Sequence, residues 1–173
     1  MNLTETETQK TTESSRLADQ IERAFHGGAW HGPAFGEALT GVDAATAARR
    51  PIAGAHTIWE IVGHVSTWLE LCRRRIEGEP IHDVPHEQDW PPPVAGPPAS
   101  ETEPEEAWRR ELATLEERHW RFHATVAGLG DARLDDPVGG SDPTVRGLLL
   151  GVLQHHAYHG GQIVLLKKAG GAA

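Results

Sequence analysis

Seven prolines fall between residues 80 and 100, in the stretch PIHDVPHEQDWPPPVAGPPAS. Proline has no amide hydrogen to donate and fixes its own φ, so this stretch is expected to be neither helix nor central strand. It reads as a long irregular crossover, the connection used by bundles that are not simply up-and-down. On either side of it the apolar residues recur at helical period. Leu17, Ile21 and Phe25 share one face of a first helix over residues 14–25, which ends at Gly27–Gly28. A short helical turn in GPAFGEAL brings Phe35 and Leu39 over one end of the domain. Thr57 followed by Glu60 is the signature of a capping box, and Ile58, Ile61, Val62, Val65, Leu69, Cys72 and Ile76 trace the apolar face of the second helix behind it. Gly78 and Pro80 close that helix. The third runs from about Glu103 to Gly128, with Trp108, Leu112, Leu115, His119, Phe122 and Val126 on a heptad-like seam. The fourth runs from Thr144 to Lys168 and stops at Gly170–Gly171, with two lysines in its last turn. Nothing reads as a convincing strand. The expected fold is therefore all-α, a four-helix bundle with a long crossover between helices 2 and 3. A polar, threonine-rich tail over residues 1–12 is expected to be disordered, and residues 13–170 form a single domain.

Charge and composition remove several function classes. The chain has 173 residues and a net charge of −9, a balance that repels phosphate backbones and argues against nucleic acid as a partner. The basic run Arg73–Arg75 reads as a solvated helix end favoured by the dipole. Cys72 is the single cysteine, so no internal disulfide can form, and its apolar-face position reads as a small buried hydrophobe. No apolar run approaches the roughly 20 residues that span a bilayer, and MNLTETETQK lacks the basic and apolar regions of a signal peptide. A cytoplasmic protein is expected, with no membrane partner. The aromatic count is unusual, six tryptophans against three phenylalanines. Trp108 and Trp120 on the third helix suggest a face that a second copy would cover, hence a homodimer.

The chemistry concentrates on the fourth helix. Three of the eleven histidines lie within five residues of its apolar stretch LLGVLQHHAYHGGQIVLLKK. With about 100° of rotation per residue, His155 and His159 stack one turn apart, on a stripe shared with Leu148, Val152, Gln162 and Leu166. His156 points about 100° away and does not join them. Two neutral imidazoles inside a core need partners for their ring nitrogens. An i, i+4 histidine pair is a strong chelate for a divalent ion, although hydrogen bonds to carbonyls or carboxylates would also satisfy the rings. A third ligand must come from a facing helix. His64 is one candidate, and His119 and its i+4 neighbour His123 are competitors. His82 and His86 sit on the crossover, near the expected mouth of the site, while His56, His26 and His31 lie close to helix ends or glycines. Any histidine that holds a metal must be neutral to do so, so protons should compete with the ion within a unit or two of neutrality.

The residues TIWEIVGHVSTW, followed about ninety positions later by HHAYHGGQI, resemble the DinB/YfiT-like superfamily. AWHGPAFGEAL and the DWP at Asp89–Pro91 carry the likeness further, so that it extends from Leu17 to Lys168. The resemblance implies a four-helix bundle holding one divalent ion per chain, zinc or nickel, on three histidines. Transferred to this sequence these are His64, His155 and His159. One departure stands out: Gly160 occupies the place where the family usually has arginine. Relatives of this kind include thiol transferases that use low-molecular-weight thiols such as bacillithiol or mycothiol, and others assigned as metal-dependent hydrolases. The implied function is a metal-dependent enzyme that transfers a small thiol to an electrophile. A hydrolase, or a non-catalytic metal-binding scaffold or small-molecule binder, stands as the alternative. No catalytic residue is singled out by the residues themselves. Glu60, Trp68, Trp90 and Gln162 are candidates to line the pocket, with Trp30 as a further apolar wall. Glu60 is the candidate base, against its simpler role in the capping box. An open coordination position facing a cavity would distinguish a catalytic site from one closed by a fourth protein ligand such as His119.

Overall fold

A computed structural model of the chain describes residues 11–92, 102–139 and 141–171. The first helix, α1, spans Glu13–His26, and the Thr12 hydroxyl at its N-cap accepts from the Ser15 amide. Thr12 thus belongs to the fold rather than to the expected tail, whose first ten residues lie outside the described ones. Two short helices follow, α2 over Phe35–Ala38 and α3 over Ala44–Ala48. The first of these is the turn expected around GPAFGEAL. The second has too few residues to show a period, and it is set by Asp43, whose side chain accepts from the Thr46 amide at 2.8 Å. The capped second helix is α4, Ile58–Ile76.

The crossover contains one turn of helix, α5, over His86–Asp89, where no helix was expected. Pro85 stands just before it, a position where the missing amide hydrogen costs nothing. Residues 93–101 of the crossover lie outside the described residues. The third long helix, α6, covers Glu103–Ala127 and a 3-10 turn follows at Asp131–Asp135. A small antiparallel pair, β1 (Pro137–Val138) with β2 (Ser141–Thr144), was not expected either, being too short to show alternation. The last helix, α7, runs over Val145–Ala169, with the Thr144 hydroxyl accepting from the Gly147 amide.

The fold is all-α in its architecture. α1 packs against both α6 and α7, and α4 packs against the same two helices. Phe25, Phe35, Ile61, Phe122, Leu149 and Ile163 are almost wholly buried between them. Each such side chain stabilises the fold by about 1.5–3 kcal/mol through burial. The backbone of α2 lies so close to α1 that a Cβ at Gly36 would stand 2.9 Å from the Phe25 carbonyl. Only glycine fits there. Trp108 does not form the exposed face expected of it. Its ring is 1% exposed and its indole N–H donates to the Val42 carbonyl at 2.9 Å, so it closes the core under the α2–α3 segment. Among the described residues no helix is long and apolar enough to cross a membrane.

Candidate metal centre

The site lies between α4 and α7, beneath the crossover. At the start of α4 the Thr57 hydroxyl accepts from the Glu60 amide at 3.1 Å, and the Glu60 carboxylate accepts from the Thr57 amide at 2.7 Å. About two turns further on comes Gly63, where a Cβ would stand 3.4 Å from Pro91. The small residue lets the crossover settle onto α4, and this brings Asp89 and Trp90 over the next residue, His64. His64 Nδ1–H donates to the Asp89 carbonyl at 2.7 Å. The Asp89 carboxylate lies 3.1 Å from the same nitrogen and accepts from the Trp68 indole at 2.6 Å. The Trp90 ring stacks on His64 with centroids 3.9 Å apart, and His56 stacks on Trp90 at 3.5 Å.

Across from His64, α7 presents His155 and His159 one turn apart. One ring nitrogen from each of His64, His155 and His159 lies within 4.8 Å of the others. His159 Nδ1–H donates to Gln162 Oε1 at 2.7 Å. Two of the three rings thus have their outer nitrogen protonated and held by an oxygen acceptor, which leaves the lone pair of the other nitrogen for the site. His64 Nε2 and His155 Nε2 stand 2.9 Å apart. Two lone pairs at that distance repel unless a proton or a cation lies between them. The donor set therefore fits a divalent cation of the zinc type, which takes neutral imidazole nitrogens.

Electrostatics support the same protonation state. Burial, together with the neighbouring His159 and His64, pushes the His155 pKa down to about 3. Burial, opposed by the Gln162 hydrogen bond, takes His159 down to about 4. His64 is lowered by burial as well, with Asp89 opposing. The three rings are neutral across the physiological range, as a metal ligand must be.

A cavity of about 360 Å³ opens beside His64 and His155. Trp68, Cys72, Leu148, Val152 and Pro143 wall it, with Arg75 and Asp89 as its charged members. Burial pushes the Cys72 thiol up to about 12, which leaves it a neutral apolar wall, as its position on the helix face implied.

The other candidates distribute as follows. Trp68 lines the cavity, Trp90 stacks on His64 and Gln162 orients His159, so all three are at the site. Glu60 is held in the cap, with Arg50 donating to both its oxygens at 2.7 and 2.9 Å. Trp30 is fully exposed and takes no part in the pocket, contrary to expectation. His82 and His86 are exposed and absent from the cavity wall. His119 does not close the site as a fourth ligand. It donates to Glu22 at 3.0 Å in a separate group between α1 and α6, which also contains His26. His156 points away from His155 as expected and is buried against Phe25, Phe35 and His119. Gly160 lies with its backbone facing Phe35 and Pro33, where a Cβ would meet Phe35 at 3.7 Å. In this chain the segment at 33–35 fills the space that a longer side chain would enter. Asp89 and His56 were not among the expected site residues, because Asp89 meets His64 from 25 residues away across the crossover and His56 reaches it only through Trp90.

A family model described as DinB superfamily matches residues 29–163, a span that includes all three imidazoles. Comparisons with curated proteins and with solved structures gave no match.

Proposed function

The chain belongs to the DinB superfamily, and from that premise we propose that it is a metal-dependent enzyme transferring a low-molecular-weight thiol to an electrophilic small molecule. One observation carries the reading: three imidazoles converge, His64 and His159 buried and His155 half-buried, two of them line a cavity, and no fourth protein ligand stands between them and that space among the described residues. A closed structural site would need a fourth donor, whereas an open position is what a reacting molecule requires. His64, His155 and His159 would hold one divalent ion, zinc or nickel. Bound there, such an ion supplies Lewis-acid chemistry, lowering the pKa of a thiol or water that it binds.

The protein's own groups do the rest. Asp89 and Gln162 fix the tautomers of His64 and His159, so their lone pairs face the site before any ligand arrives. The Asp89 carboxylate offsets positive charge accumulated at the imidazoles. Trp68, Leu148 and Val152 present apolar surface to the body of the electrophile and keep bulk water from the reacting end. In the transfer itself the thiol gives its proton to solvent water, its sulfur bonds to the electrophilic carbon, and the leaving group departs with the bonding pair. A homodimer also belongs to this reading. Of the face expected on α6 Trp108 is buried and Trp120 exposed, and further apolar surface for it is the outward side of α7, where Leu150, Tyr158 and Leu165 are exposed.

Metal-loaded protein assayed with several small thiols and a chromogenic aryl halide tests the function. Thiol-dependent turnover that disappears in His155→Ala/His159→Ala is the expected result. Turnover of esters without thiol would place the protein among hydrolases instead, and no turnover of either kind would leave a binding protein.

A further inference from the structure

The run Arg73–Arg75 at the end of α4 does not behave as one basic patch. Arg73 is held by Glu70 at 2.7 Å and by Glu77 at 2.6 Å, and Arg74 is held by Glu79. Arg75 has no carboxylate partner among the described residues. Its Nε donates to the Ile81 carbonyl at 2.9 Å, and its guanidinium carbon lies 5.3 Å from the centre of the Trp68 ring. These two contacts fix the guanidinium plane against the wall of the cavity that His64 and His155 share. The two Nη groups have no acceptor among the described residues. A half-buried cation, fixed in place, with its bidentate edge unpaired among the described residues, matches a planar oxyanion such as a carboxylate.

The remaining walls give the ligand a direction. Between Arg75 and the imidazoles the cavity is bounded by Trp68, Leu148 and Val152, which favour an aryl or branched alkyl body. At the imidazole end stands the Asp89 carboxylate, which repels a second negative group. We propose that Arg75 is the specificity-determining residue of this cavity, and that its ligand is a small organic carboxylate with an apolar body, anchored at Arg75 with its other end towards the three histidines. The proposal rests on reading the cavity as the substrate site and adds the chemical class of that substrate. The anchor acts on binding and orientation, so it is a positioning residue and takes no part in bond making.

Titration calorimetry with benzoate and its neutral counterpart benzamide tests this on the full chain, both metal-loaded and treated with chelator. Benzoate should bind at least about tenfold more tightly than benzamide in both metal states, the range of one charge-assisted bidentate contact. Arg75→Gln should abolish that preference, benzoate then binding no more tightly than benzamide. Arg75→Lys, which keeps the charge but not the fork, should retain part of it, and serves as the decisive variant if Arg75→Gln does not fold. Benzoate binding no tighter than benzamide would overturn the proposal, as would a preference that survives both substitutions. A preference seen only in metal-loaded protein would also overturn it, because the anion would then be sitting on the metal. Failure of the metal site is read separately: elemental analysis without an ion at the histidines would remove the proposed enzyme while leaving the anchor testable in the chelator-treated protein.

Discussion

Two hydrogen bonds determine how the imidazoles are presented. His64 is turned by a backbone carbonyl and His159 by a side-chain amide, so only the second can be removed by substitution. Gln162→Leu keeps the volume and deletes the acceptor. Loss of such an orienting partner lowers metal affinity about 10–100-fold, and competition with a chromophoric chelator should record that drop with the fold intact by circular dichroism. Removing the ligands is more severe. His155→Ala/His159→Ala leaves one imidazole at the site, and elemental analysis should find the ion there gone. Full retention of the wild-type metal content would show that the three histidines do not hold it. Arg75 belongs to the same scale, as the one arginine of its run that faces the cavity instead of a glutamate.

At the scale of elements, α4 carries the site and its capping box starts it. Thr57→Ala removes the hydroxyl that accepts from the Glu60 amide and should destabilise the protein by about 1 kcal/mol, read from chemical denaturation. Glu60→Gln weakens the reciprocal bond and the pair with Arg50, and it too should lower stability. If the carboxylate acts in the cap, metal content and any thiol-transfer rate stay near wild type. A rate falling a hundredfold at unchanged stability would instead make Glu60 the base. The crossover is the other element that matters here. Its helical turn α5 delivers Asp89 and Trp90 to His64 through the gap left by Gly63.

For the whole molecule, burial of histidines couples fold to pH. His155 falls to about 3, His119 and His159 to about 4, and His156 lies well below its ordinary value, in each case mainly through burial. In the unfolded chain these rings take up protons near pH about 6.5. Between the two sets of values the unfolded state binds more protons, so stability increases with pH. The stabilisation is fully present above about 6.5 and is lost as pH falls towards about 4. Urea unfolding of chelator-treated protein at pH 8, 6 and 5 should show the decline, and a flat profile would contradict the burial of these rings. Burial lowers the three site imidazoles in the same way, so protons should compete with the metal at lower pH than they would at free imidazoles. The melting difference between metal-loaded and metal-free protein should therefore persist well into the acid range. Light scattering should give a dimer at high concentration, and Tyr158→Glu/Leu165→Glu should return it to a monomer.

Helical period and capping chemistry made α1, α4, α6 and α7 legible from residues alone, because an amphipathic stripe and a Thr–Glu box act over a few neighbouring positions. The stacking of His155 over His159 followed from the same local rule. Their partnership with His64 did not follow from spacing alone; it came from the likeness to a family, since residues 91 apart meet only when α4 packs on α7. The period could not tell an inward tryptophan from an outward one: Trp108 is sealed under Val42 and Trp30 is bare, a difference made by which surface the next element covers. His119 sat on the expected seam, yet it points at Glu22 of α1 and not at the metal site, because α6 turns that face to α1. Short elements such as α3, α5 and the hairpin have too few residues for a pattern and are held by caps and contacts. Asp89 and Trp90 acquired their places at His64 only when the crossover folded back, and Arg75, three turns along α4 from His64, acquired its cavity only when α7 packed opposite, since hydrogen bonding, ring stacking and a shared cavity depend on distance in space and not on separation along the chain.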